Sequence, residues 1–258
     1  MSMNTMVFDV ETVPDLDGGR RIYDLEGLSD KDAANALFNI RRQETGNEFL
    51  RLHMHRVVAI SVVVRTPEFV KVWSLGDEDS DEKELIERFF NGIDRYTPNL
   101  VSWNGSGFDL PVLHYRGLAN GVVARRYWET GGEDNSFKFN NYINRFHERH
   151  LDLMDVLALY NPRAFAPLDQ IATLLGFPGK MGMSGGKVFD EFTEGNIRGI
   201  RDYCETDVLN TWLVYLRFQV MRGQLSPEGC EEEMQQLRDY LAAENKPHFN
   251  DFLAAWGR

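Results

Sequence analysis

Asp9 and Glu11 stand two apart in Asn4-Thr5-Met6-Val7-Phe8-Asp9-Val10-Glu11, a run that reads as a buried strand. Side chains alternate faces along a strand, so both carboxylates project from the same side. Two acids at the end of a buried strand repel each other and are costly to desolvate unless a cation sits between them. The plain alternative is a pair of solvated acids at a strand edge. Asp109 follows a Gly-punctuated turn in Trp103-Asn104-Gly105-Ser106-Gly107-Phe108-Asp109-Leu110-Pro111. An acid there is either a helix N-cap, worth about 1 kcal/mol, or a carboxylate delivered to the end of the sheet beside Asp9. Ser106 lies outside any Gly-x-Ser-x-Gly elbow, which leaves a serine hydrolase without support. Asp202-Tyr203-Cys204-Glu205-Thr206-Asp207 opens a long apolar helix, and Tyr203 and Asp207, four apart, share one face of it. A tyrosine at that spacing is commonly core packing. A carboxylate among Val208, Leu209, Trp212 and Leu213 needs a partner or a metal.

These groups must be positioned by a mixed α/β scaffold. Strands are expected at residues 4–11, 56–64, 69–73, 99–103 and 150–153, with Pro14, Asp15, Asp17, Gly18 and Gly19 ending the first. Helical spacing marks residues 30–46 (an insertion over the first strand), 81–96, 108–118, 168–175, 197–221 and a charged tail at 228–243. Residues 125–150 and the Gly-rich stretch 176–186 read as irregular. Three antiparallel strands followed by helix, strand, helix, strand, helix fit a ribonuclease H-like layout. One domain over 1–223 is expected, with 224–258 packed on it as a helical tail.

Taken together, Phe-Asp-Val-Glu-Thr, Asn-Gly-x-x-Phe-Asp-Leu-Pro and Tyr-x-x-x-Asp, in that order, resemble the DEDD superfamily of 3′→5′ exonucleases. The resemblance is closest to the stand-alone branch similar to the proofreading domain of family-B DNA polymerases, and runs from Val7 to about Tyr215. Asp202, not His, stands five residues before Asp207, which implies the tyrosine subgroup. The resemblance implies that Asp9, Glu11, Asp109 and Asp207 hold two divalent cations, Mg²⁺ or Mn²⁺, about 3.5–4 Å apart. It implies that Tyr203 orients or deprotonates the attacking water and that Glu11 also contacts the terminal 3′ hydroxyl. The substrate implied is the 3′ end of a single-stranded nucleic acid, DNA over RNA, with Thr12, Asn104, Phe108, Leu110 and Lys187 as contacts. Phe108 and Leu110 are expected to wedge against the terminal bases. A separate polymerase or repair protein is the implied partner, since no polymerase-sized region follows the third motif.

Other segments leave alternatives open. Residues 125–149 interleave Arg125, Arg126, Lys138, Arg145 and Arg149 with Tyr127, Trp128, Phe137, Phe139 and Tyr142, which suits a single strand or a solvated loop with packed rings. Asp152 offers a place near the metals and Asp155 a cap for the next helix. Lys180 and Lys187 are both candidates for phosphate contact. The His53-x-His55 pair reads as structural rather than metal-binding.

Composition sets the outer bounds. The 258 residues are 43% hydrophobic and 26% charged, with a formal net charge of −12. That charge disfavours a protein that coats a duplex more than a nuclease gripping a few nucleotides through metal ions. Met1 to Val13 lacks the pattern of a secretory signal, no run approaches the ~20 apolar residues of a membrane span, and two cysteines give no disulfide framework. A cytoplasmic protein is the expectation.

Overall fold

The computed structural model describes residues 4–257. The first three residues of the segment read against a secretory signal, and residue 258 of the tail, lie outside the described residues. In chain order these contain β1 (Thr5–Pro14), α1 (Leu16–Tyr23), α2 (Asp30–Thr45), β2 (His55–Arg65), β3 (Val70–Ser74), α3 (Glu82–Tyr96), β4 (Asn99–Ser102) and α4 (Asp109–Asn120). There follow β5 (His150–Asp152), α5 (Leu153–Leu157), α6 (Leu168–Leu174), α7 (Val188–Thr193), α8 (Ile197–Met221), α9 (Pro227–Glu244) and α10 (Pro247–Trp256).

The strands form one mixed sheet in the order β3-β2-β1-β4-β5. The first three are antiparallel neighbours, and β4 and β5 run parallel to β1. The expected α/β, ribonuclease H-like five-stranded layout is therefore present. Alternation along β1 sends Met6, Phe8 and Val10 to a core shared with α3 and α4, and Val7 to a core built on α8. Asp9 and Glu11 continue the Val7 face and so point toward α8. That helix is anchored by Trp212, Leu213 and Leu216, all fully buried, each contributing about 1.5–3 kcal/mol through burial. On its outer side α9 and α10 add Leu237, Leu241, Phe249 and Phe252 to the same core. No helix among the described residues is long and apolar enough to cross a membrane.

Two local expectations are corrected. Strand β1 runs on through Pro14, tolerated as its last residue, and Asp15 then caps a helix rather than opening a loop. Gly18 N–H donates to Asp15 Oδ1 (3.0 Å), and a Cβ on Gly19 would lie 2.7 Å from the Leu37 side chain. These glycines thus serve a cap and a helix contact, where sequence alone marks them as breakers. The second correction is α7, an additional helix directly after the Gly-rich loop. Phe38 of α2 meets Phe189 of α7 edge-on at 6.1 Å, which ties the insertion to it. Leu37 of α2 also forms a small core with Leu50 and Met54, on the segment that leads into β2.

Candidate active site

The four acids singled out in the sequence come from three separate parts of the fold and converge where β1 outruns β4. Pairing between those strands ends at Val7–Val101, so beyond it the β4-side edge of β1 has no strand partner. Asp109, at the start of α4, fills that gap: its Oδ1 accepts the backbone N–H of Val10 at 3.0 Å. Antiparallel pairing with β2 holds Asp9 opposite Ser61 and Glu11 opposite Ala59, and the ladder shifts register just after Glu11. Helix α8 crosses this edge and brings Tyr203, Cys204 and Asp207. The Cys204 Sγ lies 3.5 Å from the Asp9 carbonyl and 3.6 Å from its Oδ2. One oxygen of Asp9, one of Glu11 and this sulfur all fall within 4.8 Å of one another.

The electrostatics describe a cluster short of positive charge. Burial, then the charges of Asp109, Glu11 and Asp207, push Asp9 well above the usual carboxylate range. Burial, then Asp207 and Asp109, do the same to Glu11. Burial raises Asp109 to about 7 against the opposing backbone N–H of Val10, and raises Asp207 to about 6 against Tyr203 and Lys180. Burial and the same carboxylates raise the Tyr203 phenol above its ordinary value, leaving it a neutral donor facing Asp207. Cys204 is also held as the thiol, by burial first and by Asp9 and Glu11 next. In the metal-free fold it therefore donates to Asp9. A cluster dominated by carboxylate oxygens suits a hard, oxygen-seeking divalent cation.

The neighbouring contacts sort the remaining expectations. Thr12 Oγ1 and His55 Nδ1 are 2.8 Å apart and His55 Nε2 faces the Leu50 carbonyl, so both ring nitrogens of His55 are committed within the fold. Thr12, Asn104 and Phe108 line a cleft of about 610 Å³ that opens beside Glu11. Leu110 does not: it is 5% exposed and packs in the α3–α4 core, because the first turn of α4 points it inward. Phe108 packs instead against His55, with ring centroids 5.1 Å apart, and against Phe49, 57% exposed, at 5.8 Å. Lys187 is exposed on the turn 185–187, at the edge of this cleft. The cation whose charge reaches Glu11 and Asp207 is Lys180. Asp152 accepts the N–H groups of Asn104, Met154 and Asp155 on Oδ1 and that of Ser106 on Oδ2, and its charge reaches Asp109. It caps α5, so the capping expectation attached to Asp155 belongs to Asp152. Gly105 approaches the Ser102 side chain rather than the cleft.

Of the residues that sequence reasoning passed over, Phe49 carried a faint signal, a lone aromatic ahead of a strand. Cys204 carried one that was legible: it sits beside Tyr203, one turn before Val208.

Comparison with known proteins follows the same lines. No curated protein matches the sequence significantly. Among solved structures, the family B DNA polymerase from the hyperthermophilic archaeon Pyrobaculum calidifontis is similar in fold, with a TM-score of 0.50 and 18% identity. The match covers 86% of this chain and 25% of the polymerase, so the chain spans a quarter of that protein's length. The family described as "Predicted 3'-5' exonuclease related to the exonuclease domain of PolB" matches residues 47–256. Asp109, Tyr203 and Asp207 lie inside those residues, and Asp9 and Glu11 lie ahead of them. With the match spanning most of its length, the chain belongs to this family of predicted 3′-5′ exonucleases related to the exonuclease domain of PolB.

Proposed function

We propose that the protein removes nucleoside monophosphates from the 3′ end of single-stranded nucleic acid, DNA in preference to RNA, with two divalent cations, Mg²⁺ or Mn²⁺. The observation that carries this reading is the convergence of Asp9, Glu11, Asp109 and Asp207 in one buried, charge-deficient cluster beside an open aromatic cleft. These four side chains would hold the cations, whose contribution when bound is to lower the pKa of a water and to neutralise charge on the phosphate. Tyr203 orients that water through its phenolic hydroxyl. Cys204 fixes the rotamer of Asp9 by donating to it, and Val10 fixes that of Asp109. Phe108 and Phe49 offer faces to the terminal base, Thr12 and Asn104 offer polar contacts to its sugar, and Lys180 or Lys187 meets a phosphate. Residues 1–223 form the exonuclease unit in this reading, and 224–258 complete its core. Two buried cysteines, both free, suit a reducing cytoplasm, and a separate polymerase or repair protein is the proposed partner.

The test is digestion of matched 5′-labelled DNA and RNA oligonucleotides, single- and double-stranded, with Mg²⁺, Mn²⁺ or EDTA. A metal-dependent ladder shortening from the 3′ end, faster on single-stranded DNA, is the expected result. Full-length label surviving on every substrate with either metal would reject the reading.

A further inference from the structure

The basic, aromatic segment 125–149 divides in the fold. Tyr127, Phe137 and Tyr142 are buried in the core, with the Arg149 guanidinium 3.7 Å above the Phe137 ring. Arg145 and Phe146 stay outside. They line a cavity of about 200 Å³ at the start of β5 and the far end of α8, together with Tyr160, Gln219 and Arg222.

Three features of this cavity call for a ligand. Gln219 is 4% exposed, and its Oε1 accepts the Nε–H of Arg222 at 3.1 Å. That bond fixes which amide atom is which and leaves the buried Nε2 without a hydrogen-bond acceptor, a cost of about 1–3 kcal/mol unless something supplies one. Arg145 stacks on the Tyr160 ring at 4.6 Å and lies 5.7 Å from the Phe146 ring, which is itself 73% exposed. Its carboxylate neighbour, Asp155, engages one nitrogen at 3.2 Å, and Glu148 stands 3.6 Å from Arg222 and is largely solvated. Most of the ten guanidinium donors therefore remain available. Leu159 and Tyr160 both hold a left-handed backbone, φ 52° and 58°, in the turn that presents the Tyr160 ring, a conformation that costs free energy in residues with a Cβ.

We propose that this cavity is an accessory nucleotide subsite, taking one base against Phe146 and Tyr160 and its phosphate on Arg145 and Arg222. A base edge carries the acceptor that Gln219 Nε2 lacks, and a cavity of about 200 Å³ has room for a base. Gln219 follows Asp207 by 12 residues on α8, about 18 Å along the axis, or about five stacked nucleotides at 3.4 Å each. The subsite therefore holds an upstream base of the strand whose 3′ end is being cut. In this form the inference rests on the proposed exonuclease reading.

The experiment is a length series of 5′-labelled single-stranded DNA from three to ten nucleotides, cleaved by the full chain and by Phe146→Ala and Arg145→Ala, both at exposed positions. For the wild type, KM should fall about tenfold between three and seven nucleotides at constant kcat. The variants should lose that step while cutting the trimer as the wild type does. Fluorescence anisotropy of a labelled heptamer and of a labelled mononucleotide runs alongside and needs no turnover, so failure of the exonuclease reading leaves the subsite testable. Phe146-dependent binding of the mononucleotide without a length step would uphold the subsite and make a free nucleotide its ligand. Identical length profiles and identical binding in wild type and both variants would overturn it.

Discussion

Glu205 and Asp207 sit two residues apart on α8 and meet opposite electrostatic fates. Glu205 accepts from the N–H and hydroxyl of Ser74 (both 2.9 Å), from Lys246 Nζ (3.1 Å) and from His248 Nε2 (2.8 Å). Those partners outweigh its burial and hold it below the ordinary carboxylate range. Asp207 faces three other acids, and burial raises it to about 6. One face of the helix is closed by charges the chain itself supplies, and the other is left for charge to be brought from outside. Asp202, Glu205 and His248 also have metal-binding geometry, but Lys246 already occupies the role a cation would play. What separates a structural acid cluster from a candidate metal centre is thus the presence of internal countercharge. The number of carboxylates does not decide it.

The largest expected effect lies on the open side. Asp207→Asn or Asp9→Ala should reduce metal-dependent hydrolysis to background while the metal-free melting temperature holds or rises, because like-charge repulsion is relieved. Normal turnover would remove these residues from the proposed metal set. Tyr203→Phe keeps the ring packing and loses the hydroxyl, so kcat should drop about a hundredfold or more with unchanged affinity for Mn²⁺. An unaltered kcat would reduce Tyr203 to core packing.

On the closed side the effect should appear as stability. Glu205→Gln strands Lys246 and His248 and should cost about 2 kcal/mol, roughly 5 °C in melting temperature, with activity kept within a fewfold. If Glu205→Gln instead silenced the enzyme at full stability, the contrast drawn between the two faces would be wrong.

The smallest effect concerns pH. The four acids have raised pKa values in the metal-free fold, so between the ordinary carboxylate range and about 7 the folded chain binds more protons than the unfolded one. Their contribution to stability therefore falls as pH rises through that window. His114 and His150 are lowered to about 4 by burial and act in the opposite sense, losing stability as pH falls from 6.5 toward 4. The increment in melting temperature on adding Mn²⁺ isolates the first group, and should be larger at pH 8 than at pH 5. Asp207→Asn should flatten that difference, and a pH-independent increment would argue against cation binding at these acids.

Much of this contrast was legible in the residues. Spacing by two on a strand and by four on a helix carried Asp9, Glu11, Tyr203 and Asp207, because both periods are set by backbone geometry. The mixed five-stranded sheet followed from the run of strands and helices. What escaped depended on contacts distant in the chain. Gly19 looks like a breaker until Leu37 arrives against it. Leu110 and Phe108 flank the same acid, and only the direction of the first turn of α4 decides which is buried. Lys180 and Lys187 share one Gly-rich loop, and only the path of that loop places Lys180's charge near the acids. Asp155 reads as the cap of the next helix until four N–H groups are seen to converge on Asp152.

The bond between Asp109 and the Val10 N–H has a consequence for tolerance. The carboxylate stands in for the rung that a longer β4 would have provided, so the spacing across the site is gauged from the sheet itself. Glutamate at 109 would keep the charge and lengthen the rung by one methylene. Either the rung or the spacing to Asp9 would then be lost, which makes this a position where chemistry is preserved and dimension is not.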